Sequence, residues 1–178
     1  MTLSQTMLSY VAAGDHRVMR KVHRWAPPVW LRLWMKYATR AGDGWLWCAT
    51  GAAILAFGGA GRLPAFESAA AAALAGILVF ELLKRLTNRR RPCDIEPHCW
   101  AELLPPDRFS FPSGHSMTAF AVLVPLALEY PILLPSLLLC AISIAASRIL
   151  LGMHFLSDVL AGSALGALIG YASYRWLG

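Results

Sequence analysis

The residues whose types and spacing could do chemistry lie between Ser147 and Asp158, in Ser147-Arg148-Ile149-Leu150-Leu151-Gly152-Met153-His154-Phe155-Leu156-Ser157-Asp158, flanked by strongly apolar segments. His154 and Asp158 stand four residues apart. On one helix they would share a face, with the carboxylate accepting a hydrogen bond from one imidazole nitrogen. That bond fixes the tautomer and leaves the other nitrogen free. Arg148, six residues before His154, would sit roughly 240° away on an unbroken helix. Gly152 offers a break: with one helix ending near Leu150 and another starting near His154, guanidinium and imidazole converge on one ligand. Ionisable groups beside membrane-length apolar runs are costly and mark function more often than decoration.

Two further polar clusters precede this one. Lys84-Arg85-Leu86-Thr87-Asn88-Arg89-Arg90-Arg91-Pro92 closes an apolar segment. Lys84 and Arg91, seven apart, would lie on nearly the same face of a continuous helix, about 10.5 Å apart along its axis, and could bridge one anion. For Arg85, Arg89 and Arg90 the expected role is a stop-transfer cluster snorkelling to lipid headgroups. Glu81, three residues before Lys84, is a candidate partner for it. Phe111-Pro112-Ser113-Gly114-His115-Ser116 reads as a helix start: Ser113 is a good N-cap and Gly114 leaves backbone N–H groups open, with an imidazole alongside.

The elements that position these groups are membrane segments. The chain has 178 residues, 57% hydrophobic and 15% charged, with a mean hydropathy of +0.52, values unlike those of a soluble domain. The expected fold is an all-α polytopic bundle of about five spans: Trp45 to Gly61, Ala65 to Leu83, Ser116 to Leu128, Pro131 to Leu150 and Phe155 to Trp176. The third span is short and must borrow Ser113 to His115. If all five cross, the ends bearing the three clusters meet on one face.

Residues 1–44 form a separate basic, tryptophan-rich segment, with Arg17, Arg20, Lys21, Arg24, Arg32, Lys36 and Arg40 among Trp25, Trp30 and Trp34. The stretch Ala26 to Ala38 is too short and too charged to span about 30 Å of hydrocarbon, so one or two interfacial helices with a turn at Pro27-Pro28 are expected, ahead of a catalytic domain over 45–178. The start of the chain lacks the apolar core and cleavage site of a signal peptide. A net charge of +6 without polar, aromatic-interleaved basic tracts points to anionic lipid as partner and away from nucleic acid. Cys93 and Cys99 are close enough to form a disulfide in an oxidising compartment; otherwise they are free thiols.

The three clusters together resemble the type-2 phosphatidic acid phosphatase family, a superfamily that also holds bacterial acid phosphatases and vanadium haloperoxidases. Its pattern is Lys, six residues, Arg-Pro; Pro-Ser-Gly-His; and Ser-Arg, five residues, His, three residues, Asp. All three are intact here, as Lys84 with Arg91-Pro92, Pro112-Ser113-Gly114-His115, and Ser147-Arg148 with His154 and Asp158. The resemblance implies a lipid phosphatase with His154 as nucleophile, Asp158 orienting it, and His115 as general acid. Lys84, Arg91, Ser113, Gly114 and Arg148 would hold the phosphate. No metal or other cofactor is expected, since three cations and a helix start supply the charge stabilisation that phosphoryl transfer needs.

Among substrates of the family, undecaprenyl diphosphate is ranked first, ahead of phosphatidylglycerophosphate, phosphatidic acid and lipid A phosphates. A lipid-binding or transport protein would not need both histidines and Asp158, and a haloperoxidase would be soluble. The expected location is the bacterial inner membrane. Counting basic residues puts the active face in the cytoplasm; the resemblance favours the periplasmic face, which is the side expected here.

Overall fold

The computed structural model describes residues 3–95 and 108–178. The described residues fold into eight α-helices, α1 (Leu3–Arg24), α2 (Val29–Ala41), α3 (Trp45–Phe57), α4 (Arg62–Thr87), α5 (Pro92–Ile95), α6 (Gly114–Glu129), α7 (Leu134–Leu150) and α8 (Leu156–Leu177), with 3-10 turns preceding α4 and α7. The expected all-α architecture is observed. Three continuous helical stretches are long and apolar enough to cross a membrane: Gly59–Thr87, Pro131–Leu150 and Leu156–Leu177. α3 and α6, with 13 and 16 residues, are apolar but short. All five expected segments are therefore helical, and three of them reach full membrane length.

α6 is the central helix, packed on α4, α7 and α8. Its seam with α8 is made by backbone approaching backbone. Gly162, Gly166 and Gly170 recur every fourth residue on α8, and a Cβ on them would come within 2.5, 2.2 and 2.6 Å of the carbonyl oxygens of Ser113, Met117 and Ala121, themselves four apart on α6. Small residues allow this approach between apolar helices, where packing and not water exclusion drives association. One turn before the first of these glycines the seam continues as a hydrogen bond, Ser113 N–H to the Asp158 carbonyl at 3.1 Å. The seam thereby sets two of the three sequence clusters side by side. The core around α6 is Ala119, Val122, Leu123 and Leu126 against Ala65, Ala69, Ala141 and Ile144.

The alternation of ends expected from the spans is observed. At one end the turn before α4 meets the end of α6: the Tyr130 hydroxyl donates to the Gly58 carbonyl at 2.9 Å, and Gly61 abuts the Glu129 carboxylate. At the other end lie the close of α4, the start of α6 and the α7–α8 junction, carrying all three clusters.

α1 and α2 are two helices joined through Pro27-Pro28, as expected. α2 packs along α7, burying Met35, Ala38 and Thr39. Trp30, Trp34 and Tyr37 on α2 remain 65%, 47% and 70% exposed.

Candidate active site

The α7–α8 junction bends where the sequence requires it. α7 stops at Leu150, Gly152 takes a φ of +68°, a left-handed value suited to glycine, and α8 starts at Leu156. The Arg148 carbonyl accepts from both Met153 and His154 N–H at 3.0 Å, closing a tight loop that brings imidazole and guanidinium to one side. His154 therefore precedes α8 and shares no helix with Asp158. Asp158 instead caps the helix start, accepting from the Phe155 N–H at 2.8 Å.

This changes how His154 is oriented. Its Nδ1 lies 3.8 Å from the nearer Asp158 oxygen, beyond hydrogen-bond range, and 2.6 Å from the Ser110 carbonyl. A carbonyl can only accept, so Nδ1 carries the proton and Nε2 presents its lone pair. The direct His154–Asp158 bond expected from sequence is thus replaced by a relay: the Ser110 hydroxyl donates to Asp158 while the Ser110 carbonyl holds His154. Ser110 is fixed in turn by its N–H, which donates to the Arg89 carbonyl at 2.7 Å beside the Arg90–Phe109 bridge.

The expected cations gather around His154, by a route other than a shared helix face. α4 ends at Thr87, and Asn88 turns the chain with a left-handed φ of 48°, so Arg91 lies past the helix and folds back. Its Nη1 donates to the Met153 carbonyl at 2.8 Å and stands 3.1 Å from His154 Nε2. Lys84, at the end of α4, is buried with its ammonium 4.8 Å from the Phe80 ring centroid. Arg148 donates to Thr39 of α2. Burial holds the His154 imidazole well below the usual histidine range, and the charges of Arg148, Arg91 and Lys84 push it the same way. The ring is therefore neutral at pH 7, the state in which Nε2 can attack or bind.

Ser113 caps α6, its hydroxyl accepting from Ser116 N–H at 3.4 Å and lying 2.9 Å from the Ser116 hydroxyl. Gly114 and His115 open α6 on the wall of a cleft of about 400 Å³, shared with Lys84, Phe80 and Glu81 of α4 and with Gly42, Asp43 and Gly44 of the α2–α3 turn. A second space of about 580 Å³, walled by apolar side chains of α2, α3 and α7 such as Trp34, Ala38, Leu46 and Ile144, opens on the other side of that turn.

Three functional contacts were not anticipated. Arg89 does not snorkel to lipid. Its Nη1 bonds Asp158 at 2.7 Å and Ser157 at 2.8 Å, while Nη2 bonds Asp15 of α1 at 2.7 Å. Asp15 also accepts from the Ser157 N–H at 3.0 Å and hydroxyl at 2.5 Å. His115 Nε2 bonds Asp43 at 2.8 Å. Arg85 and Arg90 are exposed, as expected for lipid-facing cations. Cys99 and the acidic positions Glu96, Glu102 and Asp107 lie outside the described residues, and with Cys99 the question of its bridge to Cys93.

A model of the PAP2 superfamily matches residues 64–178, all three clusters included. The chain belongs to the PAP2 superfamily. It is a polytopic membrane phosphatase of that superfamily, a hydrolase of lipid phosphate esters. It is 41% identical over 133 residues to the decaprenylphosphoryl-5-phosphoribose phosphatase of Mycobacterium tuberculosis, covering 71% of this chain and 68% of that one. It is 37% identical over 94 residues to the lipid A 1-phosphatase of Rhizobium johnstonii, and 37% over 103 residues to phosphatidylglycerophosphatase B of Bacillus subtilis. Those matches cover 51% and 52% of this chain but only 38% and 48% of the relatives. Among solved structures, Aquifex aeolicus LpxE superposes with a TM-score of 0.77 at 25% identity, over 89% of this chain and 93% of that one. The transmembrane PAP2-type phosphatidylglycerolphosphate phosphatase of Bacillus subtilis superposes with a TM-score of 0.71 at 25% identity, over 94% and 86%.

Proposed function

We propose that the protein removes a phosphate from a membrane lipid through a phosphohistidine at His154; the observation that carries it is the geometry of that imidazole, with Nδ1 2.6 Å from the Ser110 carbonyl and Nε2 3.1 Å from the Arg91 guanidinium.

 In the first half-reaction Nε2 forms a bond to phosphorus while the phosphorus–oxygen bond to the lipid breaks, its electron pair leaving on oxygen and taking a proton from His115. In the second, water attacks phosphorus, gives its proton back to His115, and the nitrogen–phosphorus bond breaks to restore neutral His154. Lys84, Arg91 and Arg148, with Ser113 and the Gly114 N–H, hold the non-bridging oxygens throughout. Burying three cations together is costly, and a phosphate between them offsets that cost.

The apolar space between α2, α3 and α7 supports a lipid substrate. Its lining residue Ile144 lies against Gly42, which also abuts the His115 ring, so a tail lying there would keep its phosphate near His115. For the headgroup, the relative at 41% identity moves a polyprenylphosphoryl phosphosugar ahead of undecaprenyl diphosphate. Glu81 and Asp43 in the cleft beside His115 favour the same order, because they repel an anionic leaving phosphate and accept hydrogen bonds from a hydroxylated one. α1 and α2 are placed on the membrane surface by the exposed Trp30 and Trp34 of α2 and by the basic residues of both helices. The active face is proposed to be periplasmic, and labelling of Cys93 by an impermeant thiol reagent in intact cells is the test of that placement. Burial and Asp94 raise that thiol, so the reagent is applied at mildly alkaline pH.

The test is phosphate release by the purified protein, with EDTA present, from a polyprenylphosphoryl phosphosugar, undecaprenyl diphosphate and phosphatidic acid. Release by the unmodified protein and none by His154→Ala is expected. Equal release by both removes His154 as nucleophile, and activity that EDTA abolishes and magnesium restores refutes the all-cationic phosphate cradle.

A further inference from the structure

The general acid of the proposed reaction has a partner supplied from outside the residues that match the superfamily. His115 Nε2 lies 2.8 Å from Asp43 Oδ1, across 72 residues of sequence, and Asp43 precedes the matched region at 64–178. Asp43 sits on the short turn between α2 and α3. That turn is locked against the imidazole: a Cβ on Gly42 would come within 2.6 Å of His115 Cδ2 and 2.9 Å of Ile144 Cγ2, so only glycine lets the backbone lie so close to the ring. Gly44 follows with a φ of +111°, a value that favours glycine, and Asp43 N–H donates to the Arg40 carbonyl at 3.1 Å. The Trp45 indole donates to the same carbonyl at 2.8 Å. A few residues earlier, Thr39 accepts from Arg148. The end of α2 therefore carries two side chains to two residues of the site.

We propose that Asp43 is the positioning residue for the general acid, holding His115 by Nε2 so that Nδ1 faces the leaving oxygen. The inference rests on the phosphatase reading above and adds to it the group that readies the acid. A carboxylate only accepts, so Nε2 keeps its proton throughout. The proton that moves is the one on Nδ1: it passes to the leaving oxygen as the phosphorus–oxygen bond breaks, and the Nδ1 lone pair then takes a proton from the attacking water. The ring must be an imidazolium before the first step. Burial of the ring, then Arg148 of α7 and Lys84 of α4, act against that charge and together outweigh Asp43, the group in direct contact that favours it; Glu81 lies on the same cleft. Asp43 is 61% exposed, so its effect depends on the geometry of one short hydrogen bond and less on burial.

The experiment compares two phosphate monoesters with the same long alkyl tail, an alkyl phosphate and a nitrophenyl phosphate, in detergent micelles. An alkoxide leaves only with a proton, whereas nitrophenolate leaves without one. General acids contribute roughly 10²–10⁴-fold, and Asp43→Asn is expected to remove about 10- to 100-fold of that from kcat on the alkyl phosphate. On the nitrophenyl phosphate it should change kcat by less than about threefold, and Asp43→Glu should recover part of the alkyl rate. Adding Asp43→Asn to His115→Ala should cost nothing further. Equal losses on both substrates would mean a purely structural role and overturn the proposal, as would an unchanged rate on the alkyl phosphate. Absence of release from both substrates by the unmodified protein would overturn the phosphatase reading itself, and this inference with it.

Discussion

Arg89 offers the sharpest test of the tertiary network, because sequence assigns it to lipid headgroups and the structure places it between two carboxylates. Its side chain is 28% exposed, while those of Asp15 and Asp158 are 2% and 0% exposed. Arg89→Met keeps the apolar stem and removes the charge. Asp158 then retains the Ser110 hydroxyl and the Phe155 N–H, and Asp15 retains Ser157, but two buried carboxylates face each other with no cation between them. Breaking a buried pair by removing one partner costs about 3–5 kcal/mol, and partial exposure of the guanidinium lowers that to about 2–3 kcal/mol. If about 2 kcal/mol of the loss falls on the geometry of Asp158, Ser110 and His154, kcat drops roughly 30-fold. The assay pairs phosphate release with the thermal unfolding midpoint in detergent. Asp15→Asn, added to Arg89→Met, removes one of the opposed charges and should restore part of the midpoint, a coupling of about 1 kcal/mol. Activity within twofold of the unmodified protein, together with an unchanged midpoint, would refute the clamp and return Arg89 to the lipid surface.

Two further outcomes follow from the same geometry. His154 should titrate well below 6.5, because burial and the three cations disfavour its imidazolium. The unfolded chain takes up that proton near 6.5 and the native state only at lower pH, so this residue's contribution to stability is flat above 6.5 and declines as pH falls below it. NMR titration of nitrogen-labelled histidines reads it, and a His154 resonance titrating at or above 6.5 contradicts the neutral nucleophile. On α8, Gly166→Ala sets a methyl within 2.2 Å of the Met117 carbonyl and should cost about 1–3 kcal/mol by forcing α6 and α8 apart. Gly166→Leu should abolish the folded, monodisperse protein in size-exclusion chromatography, and normal behaviour of the leucine variant would show that the seam does not set the helix spacing.

Much of the site is legible in the sequence. Lys84, Arg91, Ser113, Gly114, His115, Arg148, His154 and Asp158 carry recognisable spacing, and the apolar segments between them alternate so that their polar ends meet on one face. The break at Gly152 is equally legible, since a straight helix would have separated Arg148 from His154. Helical periodicity misleads at two places, where it assumes a continuous helix across Lys84 to Arg91 and across His154 to Asp158. In both, the chain leaves the helix at a cap or turn, and the groups converge by folding back.

Sequence by itself determined the chemistry available, because the cations proposed to bind phosphate and the two histidines of the site sit at fixed intervals within single segments. Only the tertiary structure decided how that chemistry is held. The contacts of Ser110 with Asp158, Arg89 with Asp15, and His115 with Asp43 span 48, 74 and 72 residues. Each joins one ordinary polar residue to another, and no local period or composition marks such a pair. The register of the α6–α8 seam brings Ser113 and Asp158 together, and it depends on glycines of α8 meeting carbonyls of α6, a match that exists only once both helices are packed.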